Sequence, residues 1–427
     1  MSEPRAILTR DLTEPEPVPE AGIARAVELM RSGRLFRYGE MGADQQDAAL
    51  LELEFAALVG RRFCVAVNSG GSALFLALKV AGVAPGDPVL VNGFTLAPVP
   101  GAIVHACARP VIVEIGDDLV IDPEDLRAKA RASGAKALLL SHMRGHIADM
   151  DAVMEVADSC GVAVIEDCAH ALGARWKGRT IGTFGFAAGF SAQTYKHLNA
   201  GEGGFLVLDD EAAAARAILH SGSYMLHHQH ASRPDGAFLD AASGETANFS
   251  LRMTALAAAI LRPQLRELPR RLARWSQIQA RIADGLRRSQ FVALPIRHEG
   301  ADPAPTSVQF RVPSFDAGAM QDFLAEAASR GLPVKWFGAA RQIGFTSAPR
   351  HWSYARSDDA LARTHDVLAT LCDIRTPVTL SDSECDLIAR IVREALETVA
   401  DARPGGGGPT ERPQAVTSAR HQTSQGR

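Results

Sequence analysis

Three stretches of the sequence carry the side chains that amine chemistry on a bound aldehyde needs. Asp167 closes the apolar run 161–166, which places it at the carboxyl edge of a buried parallel strand, where open α/β sheets hold ligands. Lys196 lies in FSAQTYKHLNAGEGG (190–204), a polar loop between strand-like runs, with Ser191 on one side and a glycine-rich segment on the other. A lysine presented in this way forms a Schiff base with an aldehyde cofactor once it sheds its proton, which burial beside a cationic ring favours. The carboxylate would keep a pyridine nitrogen protonated, making the ring an electron sink. In VNSGGSALFLALKVAG (67–82) a strand meets a glycine turn and then a helix, so the amides of Gly70, Gly71 and Ser72 are expected to face one anion site. Singly, each has a plainer reading as a helix cap, a solvated charge or a tight turn. Together, in the order phosphate turn, ring carboxylate, lysine, they predict a pyridoxal-phosphate site.

The elements that must position these residues are legible as short apolar runs: 64–68, 88–92, 110–115, 136–141, 162–167 and 204–210. Val, Ile and Leu occupy both parities, as in strands covered on both faces. Helical patterns lie between several of them, at 72–82, 122–133 and 150–160, the second opened by Asp122 and Pro123 as N-cap and first helical residue. This alternation predicts an α/β domain with a mostly parallel sheet flanked by helices. Beyond about residue 251 the pattern changes to a long helix at 255–289, broken or bent by Pro263 and Pro269, then a strand at 306–315 and helices at 317–331 and 381–399. The expected organisation is an N-terminal arm and helix (1–45), a large cofactor-binding domain (46–265), a smaller C-terminal α+β domain (266–400) and a disordered tail (401–427).

Composition narrows the class. The chain has 427 residues, 47% hydrophobic and 22% charged, with a formal net charge of −4. That is an ordinary globular balance with no basic face for nucleic acid. No apolar run approaches the roughly 20 residues of a membrane helix, and the charged, proline-spotted N-terminus is no secretory signal. Cys64, Cys107, Cys160, Cys168, Cys372 and Cys385 are scattered without a C-x-x-C pair, so reduced thiols in a cytoplasmic protein are expected.

With these residues in place, the sequence resembles the DegT/DnrJ/EryC1/StrS aminotransferases, fold-type I pyridoxal-phosphate enzymes that aminate sugars and cyclitols in antibiotic and surface-polysaccharide pathways. The resemblance covers roughly residues 20–400 and is strongest in LELEFAALVGRRFCVAVNSGGSALFLAL, VIEDCAHALGARWKGRTIGTFG, FSAQTYKHLNAGEGGFLVLDD and NFSLRMTALAAAI. It implies a central sheet of the seven-stranded type, and pyridoxal 5'-phosphate held covalently on Lys196, with Asp167 against the pyridine nitrogen and His170 near the ring oxygen. It also implies that Gly70, Gly71, Ser72 and Ser191 hold the phosphate. Asn248 would reach the phosphate of a neighbouring subunit, implying a homodimer with shared active sites. The chain departs from the family pattern at Gly71, where a threonine is usual, and at Leu96, where the family stacks an aromatic on the ring. Leu96 would cover the ring by apolar contact, or Phe94 would substitute. The stretches 220–246 and 334–352 are unlike typical sugar-nucleotide members.

The predicted activity is therefore transfer of an amino group from an amino acid donor to a keto or aldehyde group of a sugar, an aminocyclitol or a related small molecule. Two rivals stand beside it: decarboxylation or elimination on an amino acid by the same fold, and a non-catalytic cofactor-binding regulator. Family dehydratases carry histidine at the lysine position, which disfavours that chemistry here. His227, His228 and His230 read as a solvated or substrate-facing patch, not a metal site, because no carboxylate or cysteine joins them at ligand spacing. His142 and His146 line the site mouth or end a strand. Arg311 and Arg375 could clamp a carboxylate, although surface or fold-stabilising pairing is the better expectation for each.

Overall fold

The computed structural model describes residues 5–39, 42–355 and 360–403, so the tail expected at 401–427 lies outside the described residues from 404 onward. The apolar runs assemble into one seven-stranded sheet: β1 (Phe63–Val67), β2 (Pro88–Asn92), β3 (Arg109–Val113), β4 (Ala137–Ser141), β5 (Ala163–Asp167), β6 (Ala187–Ser191) and β7 (Gly204–Leu208). Their spatial order is β1-β7-β6-β5-β4-β2-β3. The pairings from β3 to β6 are parallel, and β7 runs antiparallel to both of its neighbours.

The sheet is covered on both faces, which is why its strands are apolar at both parities. Helices Asp47–Val59, Met150–Cys160 and the start of Ala255–Leu286 bury Phe55, Val153 and Leu261 on one face. Helices Gly70–Val80, Pro98–His105 and Glu211–Ser221 bury Leu76, Ile103 and Ile218 on the other. β6 was not foreseen, because its sequence AAGFS reads as a small-residue loop. The small residues are a packing requirement: a Cβ at Gly189 would come within 2.6 Å of Leu74 in the covering helix.

Of the two outcomes expected at Pro263 and Pro269, a break or a bend, the break does not occur: Ala255–Leu286 is one continuous helix. Its neighbours support it at the prolines. The Pro263 ring packs on Gly22 of the helix Glu20–Ser32, where a Cβ would meet it at 3.2 Å, and the Gln264 side chain donates to the carbonyl of Ile260. A second sheet joins Ser307–Arg311, Leu371–Arg375 and Lys335–Trp336, all antiparallel, against helices Ala317–Ser329 and Asp382–Ala402. Among the described residues no helix is long and apolar enough to cross a membrane.

Of the histidine-rich stretch, His228 is exposed and His227 half-buried, in keeping with a solvated patch, whereas His230 does structural work. His230 is wholly buried, with Nδ1 2.9 Å from Glu52 Oε2 and Nε2 2.8 Å from the Tyr38 hydroxyl. Arg37 donates to the same Glu52 oxygen at 2.6 Å, and the amide of Ala66 on β1 donates to the other at 2.7 Å. Burial alone would raise the Glu52 pKa, but Arg37 and His230 outweigh it and hold the carboxyl below its ordinary value. Glu52→Ala leaves Arg37 buried without its counter-charge, and the expected cost is about 3–5 kcal/mol, read as a lower urea midpoint. A midpoint within error of wild type would show that the cluster is not stabilising.

Candidate active site

Parallel register along the carboxyl edge of the sheet sets the geometry. Ser141 at the end of β4 stands opposite Asp167 at the end of β5, and Asp167 stands opposite Gly189 in β6. Asp167 is buried. Its Oδ2 accepts from the Ser141 hydroxyl at 2.6 Å, and Ser141 accepts in turn from the Thr95 hydroxyl at 2.9 Å. The other oxygen accepts from the amide of Ala169 at 3.1 Å. The carboxylate is thus held in one orientation by a relay that begins two strands away. Its neighbour Glu166 is fully buried and receives the amides of Gly182, Phe184 and Gly185, which fasten the loop leading into β6.

Lys196 sits in the loop between β6 and β7, with Nζ 2.7 Å from Nε2 of His170. Burial pushes the Lys196 pKa down to about 7. The positive charges of Arg144, Arg375 and Lys335 act in the same direction, against the attraction of Asp167. Burial, followed by the charges of Lys196 and Arg144, holds His170 well below the ordinary histidine range, so its ring is neutral. When the neutral ring accepts from Lys196 through Nε2, its proton lies on Nδ1, and that buried nitrogen has no partner among the described residues. The result is an amine that deprotonates near neutrality, a buried N–H donor awaiting an acceptor, and an oriented carboxylate.

The glycine turn is built one residue differently from the expectation. The helix starts at Gly70, capped by Ser69, whose hydroxyl accepts the Ser72 amide at 3.0 Å. Ser72 therefore spends its amide on the cap, and Gly70 and Gly71 supply the amides left at the positive end of the helix dipole. The turn is tight enough to require glycine. A Cβ at Gly70 would lie 2.9 Å from Cβ of Ser191, and one at Gly204 would lie 2.2 Å from the Ser69 carbonyl oxygen. Gly70 and Ser191 thus share one concave corner suited to an anion.

Other expected residues lie differently. Phe94 is wholly buried and edge-on to Phe337, with ring centroids 5.1 Å apart, so it is committed to the core and cannot substitute as ring cover. Leu96 packs half-buried against that cluster. Asn248 is exposed and accepts from the Ser250 amide at 2.9 Å, and no hydrogen bond joins it to Lys196, Asp167 or His170. His142 is buried 3.4 Å from Glu166, and His146 meets Gln309 at 2.9 Å, so each has a protein partner. Arg311 pairs with Asp117 and Thr370, as a fold-stabilising arginine should. Arg375 departs from its expected pairing: its guanidinium lies 3.4 Å from the centroid of Tyr195 and borders the cleft that holds Lys196.

Three contributors were missed in the sequence. Ser141 was legible in principle, as a polar residue ending an apolar strand beside that of Asp167. Thr95 and Arg144 were not: Arg144 is buried with a left-handed φ of 56° and lies 3.2 Å from Asp373, a contact between distant segments.

The profile of the DegT/DnrJ/EryC1/StrS aminotransferase family matches residues 20–384. The chain is 36% identical over 252 residues to the spore coat polysaccharide biosynthesis protein SpsC of Bacillus subtilis, covering 58% of this chain and 64%, under two thirds, of that one. It is 31% identical over 346 residues to the L-glutamine:2-deoxy-scyllo-inosose aminotransferase of Streptoalloteichus tenebrarius, covering 79% of this chain and 78% of that one. The crystal structure of DesV from S. venezuelae superposes with a TM-score of 0.74 at 29% identity, covering 88% of this chain and 94% of that one.

Proposed function

The chain belongs to the DegT/DnrJ/EryC1/StrS aminotransferase family, and from that premise we propose that it moves an amino group from an amino acid to a keto or aldehyde group of a sugar, a cyclitol or a related small molecule. The observation that carries this reading is Lys196, a half-buried amine with a pKa near 7, held 2.7 Å from a neutral histidine. The family implies pyridoxal 5'-phosphate, and the residues fit it: an unpartnered buried N–H on His170, a glycine corner too narrow for a side chain, and an oriented carboxylate. Gly70, Gly71 and Ser191 would hold its phosphate, Asp167 its ring nitrogen and His170 its ring oxygen. Leu96 would cover the ring, and Lys196 would carry the cofactor covalently. When bound, the cofactor supplies an aldehyde carbon for the amine and a ring that takes up the electron pair released from a C–H bond.

The protein's own share is proton control. With the cofactor bound, Lys196 Nζ would be the group that accepts the donor Cα proton and returns it on the far side of the amine nitrogen. A pKa near the working pH lets one group do both. The charge on Asp167 keeps the ring nitrogen protonated, and Ser141 and Thr95 keep Asp167 from turning. We also propose a homodimer, in which exposed Asn248 reaches the neighbouring subunit's site, and which sedimentation tests. Six unpaired cysteines support a reducing compartment, the cytoplasm.

Borohydride reduction of the loaded protein, followed by peptide mapping, should place the cofactor on Lys196; recovery on another lysine would refute the assignment. Capture of pyridoxal 5'-phosphate by the stripped protein should also depend on pH with a defined sign. Only the neutral amine attacks, so the rate rises about tenfold per unit below pH 7 and levels off above it. A rate still climbing in proportion at pH 9 would contradict a lowered lysine pKa.

A further inference from the structure

A cavity of about 590 Å³ adjoins the Lys196 cleft and shares Leu12, Thr13, Tyr195 and Arg375 with it. That volume lies in the range of small-molecule sites. Its walls are mainly apolar, from Leu324, Val334, Trp336, Ile343 and Phe345. Ile343 and Phe345 stand on a tight turn closed by two hydrogen bonds between Ile343 and Thr346, at 3.1 and 2.9 Å, with Gly344 at a φ of 55°. Both side chains are exposed, at 70% and 55%, an unusual position for large apolar groups, and no described residue covers them. Phe345 also meets Tyr195 edge-on, with centroids 6.0 Å apart, so the apolar wall continues to the residue beside Lys196.

The charge at the junction is just as specific. Lys335, on the cavity wall, is bound to Asp373 at 2.9 Å. Arg375 places its guanidinium carbon over the Tyr195 ring, 3.4 Å from the centroid, borders both spaces and has no ion pair among the described residues. An arginine stacked in this way keeps its N–H edge free and oriented for bidentate capture of a carboxylate. The remaining polar lining, Thr13, Gln321, Arg341 and Thr346, is the minority, and hydroxyls set against Val334, Trp336 and Phe345 would lose water there, so an apolar body suits this wall better than a nucleotide sugar.

We propose that this cavity takes the body of the amino acceptor, a small molecule with a carboxylate for Arg375 and an apolar or sparsely hydroxylated ring or chain against Val334, Trp336 and Phe345. The proposal rests on the aminotransferase reading and narrows its acceptor. Arg375 and Phe345 are then specificity-determining residues, and the segment 334–352 is the part of the chain that sets the substrate class.

Calorimetric titration of the cofactor-loaded protein with 3-phenylpropanoate, 3-phenylpropan-1-ol and UDP-glucose tests this. The acid should bind at least about tenfold tighter than either other probe. Arg375→Gln should erase the preference of acid over alcohol, and Phe345→Ser should weaken acid and alcohol together. Tighter binding of UDP-glucose, an acid preference that survives Arg375→Gln, or an unchanged affinity in Phe345→Ser would each overturn the proposal. L-Phenylalanine reacting about tenfold faster than L-glutamine and L-alanine as donor would assign the cavity to the donor and overturn it too. Loss of the cofactor's visible band on adding donor to wild-type protein is measured on the same preparation. If that fails, the aminotransferase reading falls; if it succeeds while the titrations fail, only the cavity assignment falls.

Discussion

Lys196→Ala is expected to abolish amine transfer, with turnover falling by about 10⁴-fold or more, because in the proposed function one side chain would both carry the cofactor and shuttle the proton. The fold should survive. Lys196 lies in a loop, and its one side-chain hydrogen bond, to His170, is a polar contact at the edge of the cleft. Removing a half-buried amine with a depressed pKa removes a desolvation cost, so thermal stability should hold or rise. The check is single-turnover reaction of the variant with an amino donor, alongside circular dichroism. Turnover within about tenfold of wild type in a folded Lys196→Ala protein would remove lysine from the mechanism. Lys196→Arg sharpens the test, because arginine keeps the charge but cannot supply a neutral amine at working pH. It should be as inactive as alanine.

Asp167→Ala should lower turnover by about 10²- to 10³-fold or more, the scale on which a preorganised charge stabilises a transition state. Removing it also leaves the Ser141 hydroxyl without its acceptor at 2.6 Å. Asp167→Asn separates the two contributions. An amide can still bond to Ser141, so the fold and cofactor binding should hold, while the charge that keeps the ring nitrogen protonated is gone. Asparagine should therefore be nearly as slow as alanine in the donor half-reaction. If asparagine matched wild type, the role of Asp167 would be positional and its charge irrelevant to the chemistry.

The inner parallel strands and the site anchors were legible in the sequence for different reasons. The apolar runs of β2, β4 and β5 stand out because burial on both faces demands Val, Ile and Leu without a break. Asp167 is recognisable because it ends such a run. β6 was not legible, since the same burial selects Ala and Gly where Leu74 presses close. The cap at Ser69 was missed because a hydroxyl two residues before Gly71 reads equally well as part of the turn. Long-range pairings left no local trace. The burial of His230 against Glu52 and Arg37, and the stacking of Arg375 on Tyr195, each join segments remote in the sequence, so charge and spacing alone favoured a solvated loop and a routine ion pair.

The central claim is that Lys196 and Asp167 serve amino transfer, and the most direct measurement is the visible spectrum of the cofactor-loaded protein during anaerobic addition of L-glutamine, L-glutamate and L-alanine. One of these donors should discharge the visible band with one equivalent of the matching 2-oxo acid released, and a keto acceptor should restore it. A band that no donor discharges, or release of carbon dioxide or ammonia in place of the 2-oxo acid, would contradict amino transfer and point to decarboxylation or elimination at the same lysine.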